Sequence, residues 1–183
     1  ETVQGTQIAA GGNIALQAGR DLTLQAATVA SDEGGIGVSA GRDVNLTAAQ
    51  EQHDLTIEEQ RKKSGVLKTK TTATLDSWSD SIAVTTTLSG ETVTVAAGRD
   101  LTSQGAQIAG TGDVLLAAGR DVILGVAENT HTEVHDKTVT KSGLFSGGGV
   151  GFTIGKQQTD ATADIAEKTH TGSLIGSTDG RVD

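Results

Sequence analysis

The chain has 183 residues, including 25 glycines but only two Phe and one Trp, and it contains no Tyr, Met, Cys or Pro. So few large side chains cannot fill a wide globular core, and the lack of cysteine excludes disulfide cross-links. The net charge of −9 argues against nucleic acid as a partner, because phosphate binding depends on clustered Lys and Arg.

An Ala-Gly-Arg-Asp motif occurs four times, each time followed by alternating residues that are mostly aliphatic. Its arginines are Arg20, Arg42, Arg99 and Arg120, so successive copies are separated by 22, 57 and 21 residues. A period of 21 or 22 residues is typical of one coil of a stacked solenoid. The spacing of 57 indicates an insertion.

Aliphatic residues recur at fixed distances from each arginine. Because strand faces alternate with period two, residues two apart point to the same side. Coils stacked about 4.8 Å apart would align these residues into ladders inside a narrow tube. The four ladders are Ile14, Ile36, Val93, Val114; Leu16, Val38, Val95, Leu116; Leu22, Val44, Leu101, Val122; and Leu24, Leu46, Ser103, Leu124, in which Ser103 breaks the aliphatic pattern. A third segment of each coil contributes Ile8, Val29 and Ile108.

This pattern predicts an all-β chain folded as a parallel β-helix, and right-handed crossovers are the rule for parallel strands. The repeated tripeptide is predicted to be a structural turn motif. Its glycine would supply positive φ at a corner, its aspartate would accept backbone N–H bonds, and its arginine would lie outside, near the aspartate of an adjoining coil. The motif residues are Gly19, Arg20, Asp21; Gly41, Arg42, Asp43; Gly98, Arg99, Asp100; and Gly119, Arg120, Asp121.

The coils are themselves part of a longer sequence repeat of about 78 residues. At that offset His53 matches His131, and residues 63–67 match residues 141–145. Each module therefore consists of two coils plus a polar insertion, the insertions covering about 49–89 and 127–172, and each is predicted to be a protruding β-hairpin. A helix over residues 160–168 is the alternative for part of the second insertion. We expect residues 1–183 to form one β-helical segment, a fragment of a much longer protein.

The candidate chemistry is sparse. His131 and His135 would lie on one strand face about 13 Å apart, too far to share a metal ion. The recurring corner aspartates and the scarcity of aromatic residues argue against a polysaccharide-cleaving enzyme. We therefore expect no catalytic residues, no metal and no cofactor. A basic cluster in the first insertion has acidic neighbours and is predicted to be a solvated, self-paired hairpin tip, with a phosphate or headgroup site as the alternative; its members are Arg61, Lys62, Lys63, Lys68 and Lys70.

Two motifs carry a family resemblance that covers essentially the whole chain. Residues 18–27, AGRDLTLQAA, resemble the haemagglutinin repeat of filamentous haemagglutinins and of contact-dependent growth inhibition effectors. Residues 141–156, KSGLFSGGGVGFTIGK, resemble inserts of the second repeat block of those effectors. The resemblance implies a right-handed parallel β-helix, export through an outer-membrane two-partner secretion transporter, and a place on a bacterial cell-surface filament. It brings no catalytic residues.

The resemblance leaves two functions open. The chain is expected to be a rigid stalk and toxin-delivery module in contact-dependent growth inhibition, or alternatively an adhesin stalk that binds host glycans or receptors. The second insertion has an alternating apolar face that suits contact with a target-cell surface or outer membrane, although a hairpin lying on the tube wall would look the same. Uncapped coil ends also predict end-to-end self-association. The surface-contact residues are Leu144, Phe145, Val150, Phe152 and Ile154.

Overall fold

The computed structural model describes residues 1–146 and 151–183, without the side chains of Ser146 and Phe152. In that part of the chain all regular structure is β-strand, and no helix could span a membrane. The strands in chain order are β1 (Gln7–Ala10), β2 (Ile14–Ala18), β3 (Leu22–Gln25), β4 (Thr28–Ser31), β5 (Ile36–Ala40), β6 (Val44–Thr47), β7 (Ala49–Ser64), β8 (Lys68–Val84), β9 (Thr87–Gly90), β10 (Val93–Ala97), β11 (Asp100–Gln104), β12 (Gln107–Gly110), β13 (Val114–Ala118), β14 (Asp121–Ser146), β15 (Phe152–Gly172) and β16 (Leu174–Ser177).

The first of two compact units comprises residues 1–52, 81–129 and 168–183. Three sheets run through it, with strand orders β1-β4-β9-β12-β16, β2-β5-β10-β13 and β3-β6-β11 followed by the first residues of β14. All of these pairings are parallel. Successive strands of the chain belong to successive sheets, which is the arrangement of a β-helix. The predicted fold class is confirmed.

The predicted ladders have the predicted register. Ile14 lies beside Ile36, which lies beside Val93, and Val93 lies beside Val114. The ladders that begin at Leu16, Leu22 and Leu24 also follow the order read from the arginine spacing. The spacing of the motif arginines therefore predicts the correct coil for every one of these residues.

The ladder formed by the third strand of each coil includes two residues that the sequence analysis did not identify, Leu88 and Ile175. It runs from Ile8 through Val29 to Leu88, Ile108 and Ile175. Ile175 places the last coil in register, a point that the degenerate sequence of residues 175–183 left undecided. Val182 then forms a parallel bridge with Val114, so the final residues continue the stacking.

The core is a narrow aliphatic column, and none of its buried members in the described part of the chain is aromatic. Its interior residues are almost completely removed from solvent, with Leu46, Leu88 and Leu101 at 0% exposure. Val122 and Leu124, which pair with Leu101 and Ser103 of β11, are 44% and 52% exposed. In these two ladders burial is complete for the inner residues Val44, Leu46 and Leu101 and is lost at the β14 end.

Three hydroxyl side chains are buried among the described residues, and the two most deeply buried, Thr86 and Ser103, both have hydrogen-bond partners. Thr86 lies within hydrogen-bonding distance, 3.0 Å, of the carbonyl oxygens of both Leu24 and Thr47, and it accepts a bond from the amide of Ala27. Ser103, which breaks its aliphatic ladder, lies 2.8 Å from the hydroxyl of Ser173. Pairing removes the cost of burying an unmatched polar group.

The second compact unit comprises residues 53–80 and 130–167. Its strands follow the order β7-β8-β14-β15, which we call the hairpin sheet. Three residues join β7 to β8, a connection short enough only for antiparallel neighbours. Residues 160–168 lie within β15, so the helical alternative is wrong. The apolar positions there, Ala161, Ala163 and Ile165, are spaced by two and fit a strand face.

Candidate functional site

The Gly-Arg-Asp corners stack one above another and bind each other across coils. The Nε atom of Arg42 donates to Asp21 of the preceding coil at 2.7 Å, and Arg99 donates to Asp43 at 2.8 Å. Arg120 repeats the contact with Asp100. Each guanidinium also binds the second carboxylate oxygen, so the pairs are bidentate. The contact expected between an arginine and an adjoining aspartate is present along the stack.

These ion pairs shift the ionisation of their members in the usual directions. The Arg42 guanidinium lowers the pKa of Asp21, and Arg99 lowers that of Asp43. Their arginines are partly exposed, with 40% of the Arg42 side chain and 44% of Arg99 open to solvent. Water screens such pairs, so they contribute little stability individually. Each pair links one coil to the next.

Glycine is required at the Gly-Arg-Asp corners for a reason other than the predicted positive φ. Positive φ among the described glycines occurs at Gly105 and Gly143 and not in the motif. A Cβ atom at Gly98 would instead meet the carbonyl group of Gly41 in the neighbouring coil, with the carbon at 2.8 Å. Gly119 meets Gly98 in the same way. Close approach of stacked backbones, rather than backbone conformation, therefore requires glycine here.

The contacts of the hairpin sheet show which residues share a face. On β7 and β8, Thr56 lies 3.4 Å from Ser77, and Ser79 donates to Asp54 at 2.6 Å. Residue numbers fall on one strand as they rise on the other, which is the signature of antiparallel pairing. The tips of the two insertions also meet, since the amide of Leu144 donates to the carbonyl of Leu67 at 3.2 Å. The sequence predicted two hairpins but not that one hairpin would pair with the other.

A row of titratable side chains lies across β8 and β14. His131 contacts Asp80, and His135 lies 2.8 Å from Asp76, each through Nδ1. The two rings also approach separate oxygens of Glu133, at 2.9 and 3.2 Å through Nε2. Glu133 therefore occupies the space that was expected to separate the histidines. The alternation His-x-Glu-x-His places the three side chains on one strand face, and it could have predicted that Glu133 contacts both histidines. This alternation was not identified in the sequence analysis.

The carboxylates favour the protonated form of both rings. Asp80 and Glu133 raise the pKa of His131, and Asp76 and Glu133 raise that of His135. The histidines in turn lower the pKa of Glu133. Trp78 packs edge-on against His135, with ring centroids 5.8 Å apart. In the described part of the chain, no group of three or more His, Cys, Asp or Glu side chains is arranged to hold a metal ion.

We expect the hairpin sheet to lose stability as the pH rises above neutrality. A raised folded-state pKa gives a contribution that is fully present below the unfolded value of about 6.5 and is lost as pH rises through the folded value. Titration of the His131 and His135 ring protons by NMR should give midpoints above that value. His131→Gln/His135→Gln should flatten the dependence of melting temperature on pH between about 6 and 8. Midpoints at or below about 6.5 would contradict this.

Three of the predicted surface-contact residues, Leu144, Phe145 and Ile154, are described, and Leu144 lies at the end of the hairpin sheet where β7 meets β8. Leu144 and Phe145 are half-buried there, whereas Ile154 is 77% exposed. Val150 and the side chain of Phe152 lie outside the described residues. Two further apolar side chains that the sequence did not single out are open at the β7–β8 turn, Val66 at 101% and Leu67 at 63% exposure.

The basic cluster at this end is not self-paired as predicted. Arg61 does bind Glu59, with Nε 2.6 Å from the carboxylate. Within the described residues, however, none of the lysines of the cluster has an ion-pair partner. They flank the β7–β8 turn, two on each strand, and their side chains are exposed. These lysines are Lys62, Lys63, Lys68 and Lys70.

Short parallel strands stacked in three sheets, with paired corners and hairpin insertions, define a repetitive β-helical protein. The family model described as Hemagglutinin repeat matches residues 1–89 and 70–181. The chain therefore belongs to the haemagglutinin-repeat family. No solved structure matches the chain.

Several relatives share this segment at high identity. The chain is 46% identical over 184 residues to the 16S rRNA endonuclease CdiA of Enterobacter cloacae subsp. cloacae, a match that covers 98% of the chain and 5% of that protein. It is 43% identical to the tRNA nuclease CdiA of Escherichia coli strain STEC_O31, over 99% of the chain and 5% of that protein. The deoxyribonuclease CdiA of Dickeya dadantii is 39% identical over 99% of the chain and 6% of its own length. The chain thus spans about a twentieth of these relatives.

Proposed function

We propose that the chain is a non-enzymatic repeat segment of a large secreted filament on the bacterial cell surface, and that it serves as rigid stalk and toxin-delivery module in contact-dependent growth inhibition. The relatives support this, because proteins named for three different nuclease activities share the same segment. A segment that is shared by proteins with different nuclease activities is better suited to delivering a toxin than to catalysis. Export would use an outer-membrane two-partner secretion transporter.

The stacked corners support the stalk role. Coils joined by continuous backbone pairing and by bidentate pairs such as Arg99–Asp43 resist bending, because each coil contacts its neighbours along three sheets. We propose two modules of about 78 residues, each adding two coils and one hairpin, within a longer array of the same kind. The Gly-Arg-Asp tripeptides are proposed as the structural corners of that array.

The observation that carries the delivery role is the exposed apolar end of the hairpin sheet. A rigid stalk has no structural need for Val66, Leu67 and Ile154 in solvent, and clustered exposed apolar residues mark interaction sites. We propose that this end contacts the surface or outer membrane of the target cell. The adhesin alternative would use the same end to bind host glycans or receptors.

Deleting residues 141–156 in the full-length parent protein should abolish growth inhibition of target cells while surface display, measured by antibody on intact cells, stays unchanged. Ile154→Asp provides a variant that keeps the strand and changes only an exposed side chain; it should reduce inhibition in the same assay. Leu174→Asp is the matched control, because Leu174 is similarly exposed at 66% but lies in β16, outside the hairpin sheet. Full inhibition by the deletion would reject the delivery role. Glycan binding lost on deletion, with inhibition intact, would favour the adhesin.

A further inference from the structure

The hairpin sheet concentrates the positive charge of an acidic chain at one end. Residues 60–75, 137–146 and 151–159 contain eight of the 14 cationic residues and none of the 23 acidic ones. The remainder carries six cationic and 23 acidic residues, a net charge of −17. We call these segments the basic end. Antiparallel pairing of β8 with β14 brings them together, as the Leu144–Leu67 hydrogen bond shows.

The charge of the basic end is available to a partner. The side chains of all its described lysines are exposed, and apart from the Arg61–Glu59 pair no ion pair within the described residues involves it. An open groove of about 670 Å³ lies between the two insertions at this end. Four lysines and two apolar residues contribute to its lining: Lys63, Lys68, Lys70, Lys141, Leu144 and Phe145.

We propose that the basic end docks on a membrane surface through its phosphate-bearing anionic lipid headgroups, with Val66, Leu67 and Ile154 entering the apolar boundary beneath. This deepens the proposed delivery function and rests on it. Lysines that surround exposed aliphatic residues have the composition of a surface anchored by both charge and apolar burial. Lysine is a point charge that suits the dense negative charge of a bilayer.

The same features disfavour nucleic acid as the occupant. Seven of the eight cations are lysine, whereas base recognition and stacking favour arginine and aromatic side chains. The acidic remainder of the chain would also repel a long polyanion.

The test uses the 183-residue chain with vesicles of phosphatidylcholine alone or mixed with phosphatidylglycerol, measured by co-sedimentation. We expect binding to the mixed vesicles at about 0.1 M salt and loss of most of it at about 1 M, where the Debye length falls to about 3 Å. Lys68→Gln/Lys141→Gln should weaken binding about thirtyfold, since each lysine near an anionic bilayer contributes a factor of about five. Arg20→Gln/Arg181→Gln removes equal charge elsewhere and should leave binding unchanged.

Two more arms identify the ligand. Leu67→Ser/Ile154→Ser should weaken binding to mixed vesicles while leaving the circular dichroism spectrum unchanged, because both side chains are exposed. Inorganic phosphate at matched ionic strength should not compete. Equal binding to neutral vesicles, an equal effect of the arginine control, displacement by inorganic phosphate or tighter binding to a nucleic acid duplex would each overturn the proposal. If vesicles fail to bind but deletion of residues 141–156 still abolishes inhibition, delivery stands and the lipid partner is rejected.

Discussion

Replacing Gly98 with alanine should destabilise the β-helix by about 3 kcal/mol. Gly98 packs against the backbone of Gly41 in the neighbouring coil, and its amide also donates to the carbonyl of Ala40 at 2.9 Å. A methyl group there can be accommodated only by separating two coils, which lengthens backbone hydrogen bonds on both sides of the corner. Urea denaturation followed by circular dichroism should show a lower midpoint with an unchanged slope.

Gly19 provides a matched control within the same motif. A Cβ atom at Gly19 would meet nothing within 4 Å, because no described coil lies on that side of it. Gly19→Ala should therefore be neutral or stabilise the chain by up to about 1 kcal/mol, since alanine restricts the unfolded chain more than glycine does. If Gly19→Ala and Gly98→Ala shift the midpoint equally, close stacking is not the reason for glycine at these corners.

Leu46→Ala should cost about 3 kcal/mol of unfolding free energy, because it leaves a cavity in the middle of the aliphatic column. Leu46 is fully buried between Leu24 on one side and Ser103 on the other. The strands on both sides of Leu46 are held in register by backbone pairing, so they cannot move into the space. The cost should appear as a lower midpoint in urea and a lower melting temperature.

Leu124 belongs to the same ladder and tests whether burial rather than residue type sets this cost. It is paired with Ser103 on one side and remains 52% exposed. Leu124→Ala should therefore change the free energy of unfolding by less than about 1 kcal/mol. A loss at Leu124 as large as that at Leu46 would mean that the column does not depend on coils stacked on both sides.

The ladders could be predicted because both of their determinants are local. The alternation of Leu22 and Leu24 defines a strand face, and the spacing of 22 residues to Val44 and Leu46 defines the coil above. Leu88 and Ile175 could not be assigned to their ladder from the sequence, because they follow the insertions, whose lengths interrupt the period of 21 or 22 residues.

The candidate site was less predictable, because it depends on pairing between distant segments. The Lys63–Leu67 and Lys141–Phe145 repeats suggested two similar hairpins, yet nothing local indicates that β8 would adopt β14 as its neighbour. That pairing creates the contacts of His131 with Asp80 and of His135 with Asp76, across 51 and 59 residues of sequence. It also gathers the basic residues of both insertions at one end.

By itself, the amino-acid sequence determined the coil length, the residues that face the interior and the family resemblance, since each of these is written in a short repeating pattern. Only the tertiary structure decided why the corners are glycine, which hairpin pairs with which, and where the positive charge collects. Those features arise where backbones approach across coils or hairpins, and such distances depend on the register of segments far apart in the chain. A period in the sequence specifies the register of coils, but the register between insertions is set only when the strands pair.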